Sequence, residues 1–558
     1  MTEPASRRAR LLLAAALLAV LALRLIGLDY GLPQLYRADE MDLPGGALQV
    51  LASHSPRIGP VLLYPPFAAY CFAVLLIPFT ALHYMLQGCP PLAEFREFFV
   101  FHPGDIWLYL RYCSVAIGFI VMWLIYRIGA QLFSPRAGAL AALVLGFSFN
   151  QQQMATITKH WLFAYLATVM VLWLALQLPR GRRFYLWSGF WAAMGYATNF
   201  FSGSLIIIPL LNHCYFLRTG EVRDRWRAPA WCLLVFAAAC GVIYWLHPYP
   251  YMIKGHNIQA AINCNYIDGA LATVMIFIGK ISAFWQFCLM FDPLATIGGL
   301  LGCGLLLAAR RWRPLLLLAY GPLYFVIAIA LLHEINPRYQ SLTPLVLAIF
   351  AGYFIDWVWS QAATLRRTLM LGLVVLLTAL SVMHIARWDW LMMVPDSREL
   401  LDEYIVTAIP PDARIAVHLP AYNLVNGRVF PSAAALQEFT DRGWYPKQRQ
   451  YYRQLLALPP ERYPRPSYWL YEVSFASEQR ATEVLARIEP DFFICEPLAD
   501  TDPARLRLQR DYALVHTIAP AATPAAALTN HGRQIDGLHE LLAIRRMGPW
   551  IEIYRRRH

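Results

Sequence analysis

The most constraining feature of this chain is a series of long apolar runs that fills its first 387 residues. A helix needs about 20 mostly apolar residues to cross the hydrocarbon core of a bilayer. Only 15% of the 558 residues are charged, whereas a soluble domain carries about 25%. We therefore exclude a soluble fold and predict a polytopic α-helical membrane protein. About 11 transmembrane helices are assigned to residues 11–28, 106–128, 137–153, 160–178, 184–200, 203–217, 229–246, 292–309, 314–332, 341–358 and 368–386.

The connectors between these runs alternate in charge. Every second connector is rich in arginine, as at residues 127–136, 180–183, 218–227, 310–313 and 366–367. Such connectors face the cytoplasm in membrane proteins, which places the N-terminus inside and the chain after the last run outside. Residues 1–387 contain 27 Lys and Arg against 14 Asp and Glu, mostly in these connectors. The basic excess therefore marks topology and not a nucleic-acid-binding surface.

Two apolar runs do not fit this alternation. If residues 61–86 crossed the bilayer, every later arginine-rich connector would face outward, and Pro65, Pro66 and Pro78 also disfavour a straight span. We predict a juxtamembrane or re-entrant helix there, and another at 271–291. The first run, 11–28, is predicted to be an uncleaved anchor, because it is long for a signal peptide and carries Arg24.

After Arg387 the composition changes to charge pairs and short apolar runs. Strands are predicted at 414–419, 491–497, 512–518 and 550–554, and helices at 396–409 and 478–488. Asp396 or Ser397 with Glu399 forms a typical helix start. We therefore divide the chain into a transmembrane module, residues 1–387, with a first outer loop at 29–105, and an extracytoplasmic α/β domain, residues 388–558.

The residues best suited to chemistry lie in the predicted outer connectors. Asp39 and Glu40 directly follow the first span. The ordinary structural interpretation is an acidic loop in which Asp39 or Asp42 caps a helix. Other outer connectors carry cations that could converge on this pair, although each could instead anchor a helix at the membrane surface. These cations are Lys159, His160, Lys254, His256 and Arg338.

A carboxylate beside cations at the lipid–water boundary suits the transfer of a sugar from a lipid-linked sugar phosphate. The cations would neutralise the phosphate leaving group as charge develops on it. The carboxylate would remove the proton from an attacking hydroxyl on the opposite face of the sugar. Such an in-line displacement inverts the anomeric centre, by analogy with inverting glycosidases.

Several motifs in order resemble those of the GT-C-fold integral-membrane glycosyltransferases, in the branch of the protein O-mannosyltransferases and the lipid A aminoarabinose transferase. They are Asp39-Glu40, Tyr64-Pro65-Pro66-Phe67, the stretch from Leu108 to Arg136, Tyr196-Ala197-Thr198-Asn199, and Arg338-Tyr339 followed by Pro344. The resemblance implies a GT-C-like fold and a base or acceptor-binding role for Asp39. The chain departs from the family pattern at Tyr64, where His or Lys is usual, at Thr158-Lys159-His160, where an Asp is frequent, and at Asn199, where Lys is frequent.

The sequence thus predicts an inverting glycosyltransferase that uses a polyprenyl-phosphate-linked sugar at the outer face of a bacterial inner membrane. Its acceptor is a hydroxyl of a cell-envelope glycan, lipid or protein, and no nucleic-acid partner is expected. Asp39 is the predicted base and Glu40 a second carboxylate; Tyr249 and Tyr251 could stack on the acceptor. Substrate contacts are assigned to Tyr64, Lys159, His160, Tyr249, Tyr251, Lys254, His256 and Arg338.

No cofactor is required by this mechanism, although Asp39 and Glu40 could hold a divalent cation. The ten cysteines form no CxxC pair, so neither a disulfide framework nor a zinc site is predicted. Two alternatives remain: a transporter or flippase of lipid-linked intermediates, and a non-catalytic assembly partner. Few charges lie within the spans and no inverted repeat is visible, which favours the enzyme over the transporter.

Overall fold

The computed structural model is mostly helical, with one six-stranded sheet near the C-terminus. It describes residues 7–36, 40–59, 62, 64–250, 270–331, 342–419, 429–442, 452–453, 455–459, 461, 463, 466–472, 485–486, 488–498, 502–527 and 538–557. Two compact units can be distinguished. The membrane unit comprises residues 1–26, 42–78 and 110–386, and the sheet unit comprises 27–41, 79–109 and 387–558. The division at residue 387 into two independent domains stays a prediction.

The first half of the chain forms eleven helices among its described residues. They are α1 (Arg7–Leu25), α2 (Asp42–Ser53), α3 (Phe67–Leu86), α4 (Leu92–Phe101), α5 (Pro103–Leu132), α6 (Pro135–Gly146), α7 (Phe149–Ala155), α8 (Trp161–Ala175), α9 (Arg182–Tyr196), α10 (Ile207–Arg218) and α11 (Arg227–Leu246). Short 3-10 helices cover Leu178–Arg180 and Phe200–Ile206.

The later helices belong first to the membrane unit and, from residue 387 onward, to the sheet unit. They are α12 (Ala270–Phe291), α13 (Pro293–Ala308), α14 (Trp312–Leu317), α15 (Tyr320–Leu331), α16 (Leu342–Ser360), α17 (Leu365–Met393), α18 (Ser397–Ala408), α19 (Ala433–Arg442), α20 (Pro503–Asp511) and α21 (Leu538–Ala543). A 3-10 turn covers Pro524–Ala526.

The membrane character predicted from the sequence is confirmed. Among the described residues, seven helical stretches are long and apolar enough to cross a bilayer, over residues 67–86, 103–132, 200–218, 227–246, 274–291, 343–360 and 365–408. Four shorter apolar helices cover residues 14–25, 135–146, 161–175 and 293–308. α3 and α12, which the charge alternation excludes from the spans, are among the long ones. That they remain at the interface is still a prediction.

Two predicted spans are broken in the structure. The run 137–153 divides into α6 and α7 because Ser148 caps α7, its hydroxyl accepting a hydrogen bond from the Gln151 N–H at 3.2 Å. The run 314–332 divides into α14 and α15 at residues 318–319.

Small residues let the helices of the membrane unit approach closely. α13 crosses α16 at Gly302, where a Cβ would lie 2.2 Å from the carbonyl oxygen of Phe350. α16 in turn meets α6 at Gly352, where a Cβ would lie 2.5 Å from the carbonyl oxygen of Ala137. Glycine at such crossings replaces side-chain packing by backbone contact, as is common between membrane helices.

The sheet has the strand order β2-β3-β1-β4-β6-β5. Its strands are β1 (Arg414–His418), β2 (Phe430–Pro431), β3 (Ser467–Glu472), β4 (Phe492–Cys495), β5 (Tyr512–Ile518) and β6 (Ile551–Arg556). β1 to β4 pair in parallel, and β6 pairs antiparallel with both β4 and β5. The predicted C-terminal α/β character is thereby confirmed.

Alternate residues of the strands bury opposite faces of the sheet, as the pleat requires. Ile415 of β1 and Ile494 of β4 pack with Leu401 of α18 in one core. Phe493 of β4 packs with Leu508 of α20 in the other. Helices therefore cover both faces.

Candidate active site

The predicted site residues divide into those that the structure describes and those that it does not. Asp39, Tyr251, Lys254, His256 and Arg338 lie outside the described residues, so their roles remain predictions. Glu40 is described and belongs to the sheet unit, where its side chain is fully buried. The other described candidates, Tyr64, Lys159, His160 and Tyr249, belong to the membrane unit.

Tyr64 and His160 contact each other although 96 residues separate them. Their ring centroids lie 4.7 Å apart at an interplanar angle of 33°. His160 also lies 4.2 Å from the ring of Trp161, the first residue of α8. Lys159 and His160 are 8% and 7% exposed, although a lysine side chain is rarely so buried. The structure thus brings the segment before α3 into contact with the short connector before α8; the binding roles of Tyr64, Lys159 and His160 stay predictions.

The start of α3 holds this loop in place. The Phe67 N–H donates a hydrogen bond to the carbonyl of Ala197 at 2.9 Å. The Phe67 ring meets Phe163 of α8 and Trp191 of α9 edge to face, at 6.2 and 6.3 Å. The Tyr70 hydroxyl donates to the Pro56 carbonyl at 2.7 Å and closes the loop on itself.

His247 also holds this loop through hydrogen bonds, a role that the sequence did not indicate. It follows α11 and is fully buried. Its Nδ1 lies 3.0 Å from the carbonyl oxygen of Ile58 and its Nε2 lies 2.9 Å from that of Leu62. Burial lowers the pKa of His247, while the neighbouring carbonyls partly oppose this shift. His247 therefore connects the loop before Tyr64 to the end of α11. The ring centroids of His247 and Tyr249 lie 5.8 Å apart.

Asn199, one of the departures from the family pattern, has a structural role. Its side-chain oxygen accepts a hydrogen bond from the Phe201 N–H at 3.1 Å and caps the 3-10 helix over 200–206. A lysine could not accept this bond, because its ammonium group only donates. The asparagine is thus explained by the turn that it begins.

Glu40 follows a segment that is fixed by a buried polar network in the sheet unit. Asp396 and Arg398, both fully buried, form a two-bond ion pair with contacts of 2.8 Å. The Tyr30 hydroxyl donates to Asp396 at 2.5 Å, and the Arg398 guanidinium lies 3.9 Å from the centre of the Tyr36 ring.

A further contact extends this network: the Gln34 amide donates to Asp402. Residues 30–36 are thus docked on the first turns of α18. The sequence showed no sign of this, because more than 360 residues separate the partners.

No group of three His, Cys, Asp or Glu side chains that could hold a metal ion occurs among the described residues. Since Asp39 lies outside that part of the chain, the expectation that no metal is required stays a prediction.

A family model described as dolichyl-phosphate-mannose-protein mannosyltransferase matches residues 100–247. The matched stretch includes Lys159, His160 and the motifs between Leu108 and Arg136. The chain resembles the GT-C glycosyltransferases. This confirms the resemblance that the motif order indicated. No curated protein sequence matches the chain.

Solved structures of the same class are similar over nearly the whole chain. ArnT from Cupriavidus metallidurans bound to undecaprenyl phosphate shares 15% identity over 98% of both chains, with a TM-score of 0.47. The archaeal oligosaccharyltransferase AglB from Archaeoglobus fulgidus, in complex with an inhibitory peptide and a dolichol-phosphate, shares 11% identity over 88% of this chain and 70% of that one, with a TM-score of 0.43.

Proposed function

We propose that the chain is an inverting glycosyltransferase. It moves a sugar from a polyprenyl-phosphate-linked donor to a hydroxyl of a cell-envelope glycan, lipid or protein. The reaction takes place on the outer face of a bacterial inner membrane, with the N-terminus in the cytoplasm and the C-terminal domain in the periplasm.

The observation that supports this proposal is the ring contact of Tyr64 with the buried His160, which is next to the buried Lys159. Lys159 and His160 lie inside the stretch that matches the mannosyltransferase model. A buried lysine next to an aromatic pair, just before the start of a helix, is suited to a phosphate, which its ammonium group binds as a compact charge. The aromatic rings offer a flat surface to a sugar or a lipid head.

In the proposed reaction the bond between the anomeric carbon and the phosphate oxygen breaks as the acceptor oxygen bonds to that carbon. Lys159, with His160, Lys254, His256 and Arg338, stabilises the negative charge that the departing lipid phosphate acquires. Asp39 accepts the proton of the acceptor hydroxyl, and Glu40 supports it as a second carboxylate. Tyr249 and Tyr251 border the acceptor.

The test compares the cell-envelope glycans of the source bacterium, by mass spectrometry, with and without the gene. We expect one glycan, lipid or protein to lose a sugar in the deletion strain and regain it with the wild-type chain. Asp39→Asn should lower transfer about 10²–10⁴-fold, the usual effect of losing a general base. Asp42→Asn, three residues further on at the start of α2, is the matched control and should remain active.

A second pair of variants tests the phosphate contact. Lys159→Met should abolish complementation, whereas Lys159→Arg should retain part of it because the charge is kept. If no envelope component loses a sugar, or if Asp39→Asn complements fully, the proposal is wrong.

A further inference from the structure

The structure contains a cavity of about 860 Å³ in the membrane unit, on the side of the arginine-rich connectors. It lies at the ends of several membrane helices, and neither Tyr64 nor His160 lines it. Its walls come from the α5–α6 connector, the ends of α8 and α10, the segment between α13 and α14, and the last turns of α16. None of its lining residues has a role in the proposed transfer.

Three arginines line this cavity: Arg310, Arg311 and Arg313. Arg313 pairs with Glu221 at 3.0 Å. Within the part of the chain that the structure describes, neither the Arg310 nor the Arg311 guanidinium pairs with a carboxylate. Two positive charges are thus available to an anion at this opening.

The carboxylate in the cavity wall is already occupied. Asp356 accepts a hydrogen bond from the Ser134 hydroxyl at 2.8 Å and forms an ion pair with Arg136. Its charge is therefore balanced by Arg136 and does not serve Arg310 or Arg311. The wall also presents Trp312, which is 53% exposed, and Trp357. Tryptophan at such a place is typical of the layer where lipid head groups meet the acyl chains.

The backbone at Arg310 supports a role for its side chain. α13 ends in a Schellman motif, in which the Arg311 N–H bonds the Leu306 carbonyl at 2.8 Å and the Arg310 N–H bonds the Leu307 carbonyl at 3.0 Å. Arg310 takes the left-handed position of this motif, with φ of +53°. Glycine is the favoured residue there, since a side chain strains the backbone. Residues held in such strained conformations cluster at binding sites, and Arg310 lines the cavity.

From this geometry we propose that the cavity binds the head group of an anionic phospholipid of the inner leaflet. The phosphate lies between Arg310 and Arg311, and the acyl chains extend along the membrane helices. Basic pockets between membrane helices at the cytoplasmic side recognise anionic lipid head groups in this way. The site is distinct from the proposed donor site and does not depend on the transfer reaction.

The test uses the full-length protein and native mass spectrometry to compare binding of phosphatidylglycerol with that of zwitterionic phosphatidylethanolamine. Wild type should prefer phosphatidylglycerol. Arg310→Gly removes the cation and relieves the backbone, so it should lower phosphatidylglycerol affinity about fivefold, the effect of one arginine near the surface, while the melting temperature is unchanged or higher. Arg311→Gln should lower the affinity similarly and serves as a second variant.

Arg223→Gln is the matched control, because Arg223 is an exposed arginine of the neighbouring α10–α11 connector and does not line the cavity. Its phosphatidylglycerol affinity should equal that of wild type. Equal binding of the two lipids by wild type, an undiminished affinity in both cavity variants, or an equal loss in Arg223→Gln would overturn the proposal. Thermal protection by millimolar inorganic phosphate equal to that by phosphatidylglycerol would show a free-anion site and overturn the lipid assignment.

Discussion

Breaking the buried ion pair between Asp396 and Arg398 should destabilise the sheet unit strongly. Both side chains are at most 1% exposed and share two contacts of 2.8 Å. Arg398→Met leaves a buried carboxylate without its cation, which costs about 3–5 kcal/mol. For a cooperatively unfolding unit of about 220 residues this lowers the melting temperature by about 10 °C. Differential scanning fluorimetry of the purified full-length protein measures the shift.

The double variant separates loss of the pair from loss of packing. Asp396→Asn alone should also be costly, since it leaves Arg398 buried with its charge unbalanced. In the combined variant no unpaired charge remains. The side-chain oxygen introduced by Asp396→Asn can still accept the backbone N–H of residue 398, a bond that caps α18 at 2.9 Å in the wild type. We expect the two single losses to exceed the double loss by at least about 2 kcal/mol. Additive losses would show that the ion pair is not what stabilises this region.

An exposed ion pair of the same unit is the control. Arg510 contacts Asp511 at 2.7 Å, but the arginine side chain is 74% exposed. Arg510→Met should change the free energy of unfolding by at most about 1 kcal/mol. A cost equal to that of Arg398→Met would refute the role assigned to burial.

The same pair has a pH signature. Burial would raise the pKa of Asp396, but the charge and hydrogen bonds of Arg398 and the Tyr30 hydroxyl hold it below its ordinary value of 3.8. Its stabilisation is therefore present at neutral pH and is lost only as the pH falls through the lowered pKa. In Arg398→Met the cation no longer opposes burial, so the carboxyl pKa rises and acid relieves the unpaired charge. The difference in melting temperature between wild type and variant should shrink between pH 7 and 5; a constant difference would contradict this account.

Two further variants test packing and the candidate site. Gly302→Ala should lower the free energy of unfolding by about 1–3 kcal/mol, because its Cβ would meet the Phe350 carbonyl at 2.2 Å. Gly304→Ala in the same helix meets nothing within 4 Å and should be neutral or stabilising. Thermal unfolding compares the two variants, and equal losses of stability would contradict the close helix crossing. Tyr64→Ala should lower transfer about threefold to tenfold by removing the ring contact with His160, while Tyr64→Phe should keep most activity in the same envelope assay. An equal loss in Tyr64→Phe would assign the effect to the hydroxyl.

Local signals predicted much of the sheet unit. The strands β1, β4, β5 and β6 lie where short apolar runs indicated them, and α18 begins at the predicted cap. β3, at Ser467–Glu472, was missed although its Tyr and Trp residues favour strands. The break at Ser148 was missed because a single capping residue in an apolar run is a weak signal against continuity.

Long-range contacts were less accessible to the sequence. The sequence predicted a convergence of cations on Asp39 and Glu40, and it did not predict the ring contact of Tyr64 with His160. The docking of Tyr30 on Asp396 could not be predicted, because a neutral tyrosine and a helix-capping aspartate each look locally satisfied. Such pairs are chosen by the tertiary fold and not by the pattern around either residue.

The grouping of residues 27–41 with the C-terminal unit has a consequence for engineering. A chimaera that exchanges the C-terminal portion between relatives at residue 387 would separate Tyr30 and Gln34 from the acidic residues that they contact. It would leave residues 30–36 against a foreign helix. Exchanging residues 27–41 together with that portion keeps each partner matched to its own. The stretch before Glu40 and the C-terminal portion should therefore be inherited, and transplanted, as one piece.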